Sequence, residues 1–255
     1  MDDYLSQLVA DLKKQLQEKQ ENHQKDEIDI QSFQDQLRYL SDFSWDAVQA
    51  IRAISLYSTR ASYIYDHFLT IRASDDIIQS IISLRHLVIN GVHNMARREI
   101  RYILETTVKF LVVDQEQNGK ILADKTAYLG TAIPNSSIEV VDRTVTPFPS
   151  AIDQGYKNEI KDLFYKVCAY VHPSQRQIEE QLNNYGKGYH LGFETVKMLG
   201  SITTQLFRTY DISLTLLFIG FGPSTSKDLF REIFNDDPKW KFHKGKYVKQ
   251  YAVLY

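Results

Sequence analysis

The residues best placed to do chemistry lie along ARREIRYILETTVKFLVV (96–113), a segment whose polar side chains break a clean amphipathic pattern. With about 100° of rotation per residue, His93 and Arg97 fall within the apolar stripe of a helix here, and Arg101 lies at its edge. Glu105 follows Arg101 by four residues, so the two side chains can pair across one turn. Because an unpaired buried charge costs several kcal/mol, this arrangement predicts either a polar site between helices or a structural salt-bridge network.

A second segment, KNEIKDLFYKVCAYVHPS (157–174), places Tyr165, Cys168 and His172 at three- and four-residue spacing beside its apolar stripe. His172 stands at the predicted end of the helix, because the residue before a proline is displaced from the helical region. A histidine at that position either caps the helix, where a cation is favoured, or transfers a proton in catalysis. The sequence offers no third residue to orient Cys168 and His172, so Cys168 is expected to be a small buried side chain.

The elements that position these residues are predicted to be helices. Residues 1–118 hold no proline and a single glycine, Gly91, whereas average usage predicts roughly 14 of the two together. Since both residue types interrupt helices and strands, their absence favours long helices and an all-α multi-helix bundle. The predicted helices are 45–70, 75–89, 92–116, 122–131, 156–172, 174–184 and 193–221.

Composition divides the chain into three parts. Residues 1–44 carry leucines at helical spacing on a glutamine-rich, acidic background, which predicts an α-hairpin or coiled-coil arm that contacts a partner or packs on its own domain. Residues 45–235 form the bundle domain. An irregular insertion at 132–155 holds three of the six prolines, and its β-branched alternation fits a small hairpin. Residues 236–255 form a basic aromatic C-terminal tail.

The C-terminal segment PKWKFHKGKYVKQYAVLY (238–255) contains five lysines, five aromatic residues and no acidic side chain. Lysines contact phosphates and aromatic rings stack on bases, so the segment is a candidate for binding single-stranded nucleic acid. In the alternative, the aromatic side chains pack onto the domain while the lysines stay solvated. The candidate nucleic-acid-binding residues are Lys239, Trp240, Lys241, Phe242, Lys244 and Lys246, together with Arg97 of the bundle.

Composition also excludes several classes of protein. A net charge of −2 over 255 residues argues against a globally basic nucleic-acid binder. The single cysteine excludes a disulfide framework and an all-cysteine zinc site. The longest apolar run, at 214–222, is far shorter than the roughly 20 residues that cross a membrane. Phosphate-loop, dinucleotide and zinc-helix motifs are absent from the sequence, so we expect a cytoplasmic protein without a metal, a cofactor or a membrane partner.

The helix pair resembles a group of uncharacterised bacterial all-helical proteins in which Arg-x-x-x-Glu precedes a helix end of the form Ala/Ser-x-x-His-Pro/Gly-Ser. In this chain the two motifs are RYILE (101–105) and AYVHPS (169–174), and the resemblance covers residues 80–215. More distantly, the chain is similar to the HEPN superfamily of helical bundles, which includes RNA-cleaving toxins, antiviral effectors and non-catalytic members. The resemblance implies a HEPN-like bundle that handles RNA.

Catalytic HEPN proteins have an arginine followed, after four to six residues, by a histidine on the same helix. The helix of Arg101 lacks such a histidine, and the spacing is met by Arg60 and His67, with alanine where a polar residue is usual. The resemblance implies that His172 or His67 acts on the ribose 2′-OH or the leaving oxygen. Arg101 would stabilise the transition state of the phosphate.

Two functions follow from the sequence. The first is a HEPN-like RNA-handling effector of a bacterial defence or toxin-type system, with metal-independent endoribonuclease activity. Its candidate catalytic residues are Arg101, Glu105, His172 and Tyr165, with Arg60 and His67 as the alternative pair. The second is a non-enzymatic helical adaptor that oligomerises through its N-terminal arm and binds a protein or nucleic-acid partner through its C-terminal tail. In this hypothesis the polar cluster only specifies helix pairing.

Overall fold

The chain folds as a bundle of helices in the computed structural model, which describes residues 2–28, 30–59, 66–135, 137–171, 174–186, 195–235 and 237–254. Its α-helices are α1 (Asp2–His23), α2 (Gln31–Ser58), α3 (Leu69–Arg72), α4 (Ser74–Ile89), α5 (His93–Glu116), α6 (Leu122–Ala132), α7 (Ser150–Cys168), α8 (Gln175–Gly186), α9 (Val196–Phe221), α10 (Pro223–Leu229) and α11 (Lys246–Val253). No β-strand occurs within the described ranges. The prediction of an all-α multi-helix bundle is confirmed.

The central helix of the bundle is α9, which packs against α2, α5 and α11. Every residue from 209 to 218 is buried, so this part of α9 is enclosed on all sides rather than on one face. α4 packs against both α2 and α5, and α7 also packs against α5. The apolar run at 214–222 thus belongs to the core. Among the described helices, none combines the length and the apolar character needed to cross a membrane.

The bundle begins before the predicted boundary at residue 45. α2 starts at Gln31, and its side chains Phe33, Leu40 and Phe43 are buried in the core. Residues 31–44 therefore belong to the bundle rather than to an arm. Their apolar positions are few and widely spaced on a polar background, which is why composition alone assigned them to the N-terminal part.

The helix that lies outside the bundle is α1. Each side chain from Ser6 to Asn22 is exposed. A short π-helical turn, Gln24–Ile28, follows α1 directly and leads toward α2. The N-terminal arm of this protein is thus a single helix joined to the bundle by a turn.

The segment predicted as an irregular insertion, 132–155, is folded against the bundle. A 3₁₀ helix, Glu139–Arg143, stands where the sequence fits a small hairpin. Ile138, Val141 and Phe148 are buried, so this segment adds to the core. α7 then begins at Ser150, before the predicted start at residue 156.

The C-terminal segment is part of the bundle and not a free tail. A 3₁₀ helix, Lys241–Lys244, lies within this segment, and α11 follows it. Trp240 and Phe242 are 4% and 0% exposed. Asp211 of α9 accepts hydrogen bonds from the backbone N–H groups of Tyr247 and Val248, at 2.9 and 3.0 Å, and so caps the start of α11.

A buried ion pair joins α3, α5 and α6. Asp114 of α5 accepts hydrogen bonds from the backbone N–H groups of Leu69 and Thr70, at 3.0 and 2.8 Å, which caps the short helix α3. Lys125 of α6 lies 2.9 Å from the same carboxylate, and the two side chains are 1% and 2% exposed. The ammonium group of Lys125 also lies over the Phe68 ring, so both the carboxylate and the ring stabilise its charge.

Candidate functional site

The contact between α5 and α7 brings several of the predicted polar residues together. Arg101 and Glu105 lie on consecutive turns of α5, and Cys168 is the last residue of α7. The charges of Arg101 and Glu105 both act on the Cys168 thiol, which places the three side chains in one neighbourhood. We call Arg101, Glu105, Lys109 and Cys168 the α5–α7 cluster.

Glu105 is the centre of this cluster. It pairs with Lys109 at 2.5 Å between Nζ and Oε1, and with Arg101 at 3.4 Å between Nε and Oε2. Lys109 also donates a hydrogen bond to the backbone carbonyl of Asn135, at 2.9 Å. Sequence reasoning missed Lys109, although it follows Glu105 by four residues, the same spacing that had drawn attention to Arg101 and Glu105.

The Arg101 guanidinium is mostly enclosed. Its side chain is 18% exposed, and Cζ lies 5.2 Å from the centre of the Phe164 ring. The Nε–H group is buried and finds no hydrogen-bond acceptor in the described part of the chain, since its position toward Glu105 gives an ion pair rather than an aligned hydrogen bond. Arg101 therefore has one buried donor without a hydrogen-bond partner in the described part of the chain.

Arg97 makes a separate set of contacts between α5 and α8. Its guanidinium lies 3.2 Å from Glu180 and stands over the Tyr170 ring, 3.8 Å from the ring centre. The hydroxyl of Tyr170 donates to the other oxygen of Glu180, at 2.5 Å. Arg97 thus contacts both an aromatic ring and a carboxylate and links α5 to α8. Because its side chain is 11% exposed, little of its surface is free for the predicted contact with nucleic acid.

Cys168 does not have the properties of an activated nucleophile. Burial raises the pKa of its thiol, the nearby Arg101 lowers it, and Glu105 raises it again, with a net upward result. A reactive cysteine needs a lowered pKa, because the thiolate is the nucleophile. The side chain of Cys168 is half-buried rather than fully buried as predicted, and it packs against the core.

Tyr165 points to a different surface. Its hydroxyl donates to Glu139 of the 3₁₀ helix at 2.5 Å, and the side chain is half exposed. Glu139 also pairs with Lys161 at 2.8 Å. The hydrogen bond to Glu139 raises the pKa of Tyr165. The hydroxyl of Tyr165 is engaged by Glu139, and its connection to the α5–α7 cluster is an electrostatic interaction with Cys168, three residues further along α7.

The histidines predicted for catalysis are placed only in part. His172 and Arg60 lie outside the described residues. His67 precedes α3, whose first N–H groups bind Asp114 near the end of α5. Asp114 is 13 residues from Arg101 on the same helix, which corresponds to roughly 20 Å at 1.5 Å per residue. His67 and Arg101 therefore do not belong to one site.

The basic residues of the C-terminal segment have varied environments. Lys246 pairs with Glu159, and Lys241 pairs with Asp42, at 2.8 and 3.2 Å. Lys239 and Lys244 are exposed. The rings of Trp240 and Phe242 pack against other aromatic side chains of the core, for example Trp240 on Phe234. Stacking of these two rings on bases is therefore not available in the folded chain, which corrects that part of the prediction.

In the α5–α7 cluster, Arg101 and Lys109 are both paired with Glu105. Within the described ranges, no group of three or more His, Cys, Asp or Glu side chains is arranged to hold a metal ion. Comparisons with protein-family models, with curated proteins and with solved structures found no match for this chain. The resemblance to HEPN proteins stays a prediction.

Proposed function

We propose that this protein is a helical adaptor that pairs with a second copy of itself through α1. The observation that carries the proposal is the exposure of four apolar side chains on α1. Leu8, Val9, Leu12 and Leu16 are 44%, 48%, 51% and 51% exposed. Three of them, Leu8, Leu12 and Leu16, follow one another at four-residue spacing and form a stripe along the helix.

A helix of this kind gains little by standing alone in water. Isolated helices are marginally stable even when their sequences are good helix formers, and most helical stability in proteins comes from packing an apolar face. α1 spans 22 residues, and its side chains from Ser6 to Asn22 receive no cover from the bundle. A partner helix against the leucine stripe would supply the missing burial.

A second copy of α1 is a suitable partner because the sequence is self-complementary in the antiparallel direction. Pairing about Leu12 sets Leu8 against the partner's Leu16 and brings the two Leu12 side chains together. Such an arrangement has two-fold symmetry, the commonest symmetry of homo-oligomers.

Substitution of Leu12 tests this function. Leu12→Asp places two carboxylates at the centre of the pair, so we expect the full-length variant to have the mass of one chain when the wild type has the mass of two. The measurement is sedimentation equilibrium at matched concentrations. Leu56→Asp is the control, because Leu56 is an exposed leucine of α2, 65% exposed, and lies outside the proposed interface.

The result for the control decides how the mass is interpreted. If Leu56→Asp remains a dimer while Leu12→Asp is a monomer, α1 is the interface. If both variants keep the wild-type mass of two chains, α1 is not the interface and the proposal fails. Circular dichroism of each variant establishes that the bundle is intact.

A second candidate function is metal-independent cleavage of RNA at the α5–α7 cluster, as the HEPN resemblance implies. The specific observation in its favour is the buried Nε–H donor of Arg101, which has no hydrogen-bond partner in the described part of the chain; if the contact between α5 and α7 opened, a phosphate oxygen could accept a hydrogen bond from it. Arg101→Ala should then abolish cleavage of labelled single-stranded RNA and tRNA in the presence of EDTA. His172→Ala and His67→Ala distinguish the two proposed proton-transfer sites, and Arg38→Ala, an exposed arginine of α2, is the control.

A further inference from the structure

A cavity of about 710 Å³ lies between α2, α4 and the chain around the start of the C-terminal 3₁₀ helix. Its volume falls in the range of sites for small molecules. The lining residues are Ser41, Asp42, Ser44, Trp45, Asp46, Val48, Ile81, Ile82, Arg85, Lys239 and Lys241. Neither the α1 surface nor the α5–α7 cluster contributes to it, so an inference about this cavity does not rest on the proposed function.

Two cations in the lining have no acidic partner. The Nε of Arg85 donates to the hydroxyl of Ser41, at 3.2 Å, and no carboxylate in the described ranges pairs with its guanidinium. Lys239 is exposed, and its ammonium group likewise forms no ion pair with a described residue. These groups come from α4 and from the C-terminal segment, which are far apart in sequence and meet at this cavity.

The carboxylates of the lining are already engaged. Asp42 pairs with the ammonium group of Lys241, at 3.2 Å. Asp46 accepts a hydrogen bond from the backbone N–H of the same lysine, at 2.7 Å. Lys241 balances the charge of Asp42, whereas Asp46 receives only a backbone hydrogen bond, so the three cations of the lining exceed its two carboxylates by one charge. This net positive charge favours an anion. A guanidinium beside an ammonium group suits a phosphate, because the guanidinium can donate two parallel hydrogen bonds.

The apolar part of the lining is suited to a flat ring. Trp45 is 56% exposed and Ile82 is 45% exposed, although both are large side chains that proteins usually bury. Arg52 lies over the Trp45 ring, 5.6 Å from its centre, and helps to hold the indole in place. An exposed indole beside a cavity is a stacking surface that accepts any base.

We propose that this cavity binds a nucleoside monophosphate. The base stacks on Trp45 and contacts Ile82, and the phosphate binds to Arg85 and Lys239. The two halves of such a ligand match the two halves of the lining, one apolar and aromatic, the other cationic. The predicted role of Lys239 in binding phosphate is retained in this site, with Trp45 in place of the buried Trp240 as the stacking residue.

The proposal is tested by titrating the full-length protein with adenosine monophosphate, followed by calorimetry and tryptophan fluorescence. We expect Arg85→Gln and Lys239→Gln each to weaken binding about tenfold or more. Lys244→Gln is the matched control, since Lys244 is an exposed lysine of the same segment outside the cavity lining. Trp45→Leu should remove the fluorescence change, because the other tryptophan, Trp240, is buried.

Inorganic phosphate and adenosine, titrated separately, show whether both halves of the ligand are recognised. We expect each to bind at least about tenfold more weakly than adenosine monophosphate. Absence of binding at millimolar ligand overturns the proposal. So does inorganic phosphate that binds as tightly as the nucleotide, or a loss of affinity in Lys244→Gln equal to that in Lys239→Gln.

Discussion

At the scale of single residues, the buried carboxyl group of Asp211 makes stability depend on pH. Burial raises its pKa to about 6, although hydrogen bonds from the backbone of α11 oppose the shift. The folded chain therefore holds this proton more tightly than the unfolded chain, in which the usual pKa is 3.8. The contribution of Asp211 to the free energy of unfolding is fullest below about pH 4 and is lost as the pH rises to about 6.

Asp211→Asn removes this titration. We expect the free energy of unfolding of the wild type to fall, relative to that of the variant, by about 1–3 kcal/mol between pH 4 and pH 7. Urea unfolding of both proteins at intervals across this range measures the difference. Two curves that stay parallel over the whole range would show that Asp211 has an ordinary pKa.

Gly245 lies so close to the carboxyl group of Asp211 that there is no room for a side chain at this position. A Cβ atom on Gly245 would lie 2.2 Å from Oδ1 of Asp211 and 3.0 Å from the carbonyl oxygen of Phe242. The backbone of Gly245 has an ordinary φ of −61°, so steric contact alone penalises a side chain there. Because the carboxylate is held by backbone N–H groups and cannot move aside, we expect Gly245→Ala to lower the free energy of unfolding by about 1–3 kcal/mol.

Gly155→Ala is the control for this substitution. Gly155 lies within α7, and a Cβ there meets no atom within 4 Å. Alanine is the better helix former, so this variant should be unchanged or stabilised by up to about 1 kcal/mol in thermal or urea unfolding. Equal destabilisation by the two substitutions would contradict the steric account of Gly245.

At the scale of elements, the junction of α3, α5 and α6 depends on the buried pair Asp114–Lys125. Lys125→Met leaves the carboxylate without its cation in a closed site, and we expect a loss of about 3–5 kcal/mol in the free energy of unfolding. Lys166→Met is the matched control. Lys166 pairs with Asp162 at the surface, and both of those side chains are half exposed, so its loss should be below about 1 kcal/mol.

Urea unfolding of these two variants measures both losses in free energy of unfolding. The comparison separates the effect of leaving a buried charge unpaired from the effect of replacing a lysine side chain. Asp114 also caps α3, so the double variant Lys125→Met with Asp114→Asn should recover part of the loss by removing the unpaired charge. A loss in Lys125→Met no larger than in Lys166→Met would show that the core pair contributes little.

Several elements could be predicted from the sequence because their signals are local. The absence of proline and of nearly all glycine over residues 1–118 indicated long helices. Other boundaries depended on contacts between distant segments. Residues 31–44 are covered by other parts of the bundle, and the C-terminal segment is fixed by Asp211, which is 34 positions before Gly245. The sequence pattern within one segment cannot indicate such contacts, because they depend on residues far away in the chain.

The candidate sites, too, could be predicted only where their residues are neighbours in the sequence. Arg101 and Glu105 could be paired from their spacing on one helix, and the structure gives that ion pair. The rest of the α5–α7 cluster depends on how α7 meets α5. The cavity that holds Trp45, Arg85 and Lys239 combines residues from three separate segments, so no single motif in the sequence marks it.

At the scale of the whole molecule, the bundle and α1 differ in how much of their apolar side-chain surface is buried. The core of the bundle is continuous from α2 to α11. α1 has a leucine stripe without such cover, and this difference is the reason to regard the arm as a surface for a second copy. The cavity beside Trp45 and the α5–α7 cluster lie on the bundle and share no residue with α1.

The most direct measurement of the central claim is the mass of the full-length wild type in solution. Sedimentation equilibrium from about 1 to 100 µM covers the affinity range of common protein pairs. If two copies pair through α1, the mass rises with concentration to twice the 29.7 kDa mass of one chain. A mass of 29.7 kDa at every concentration would contradict this pairing.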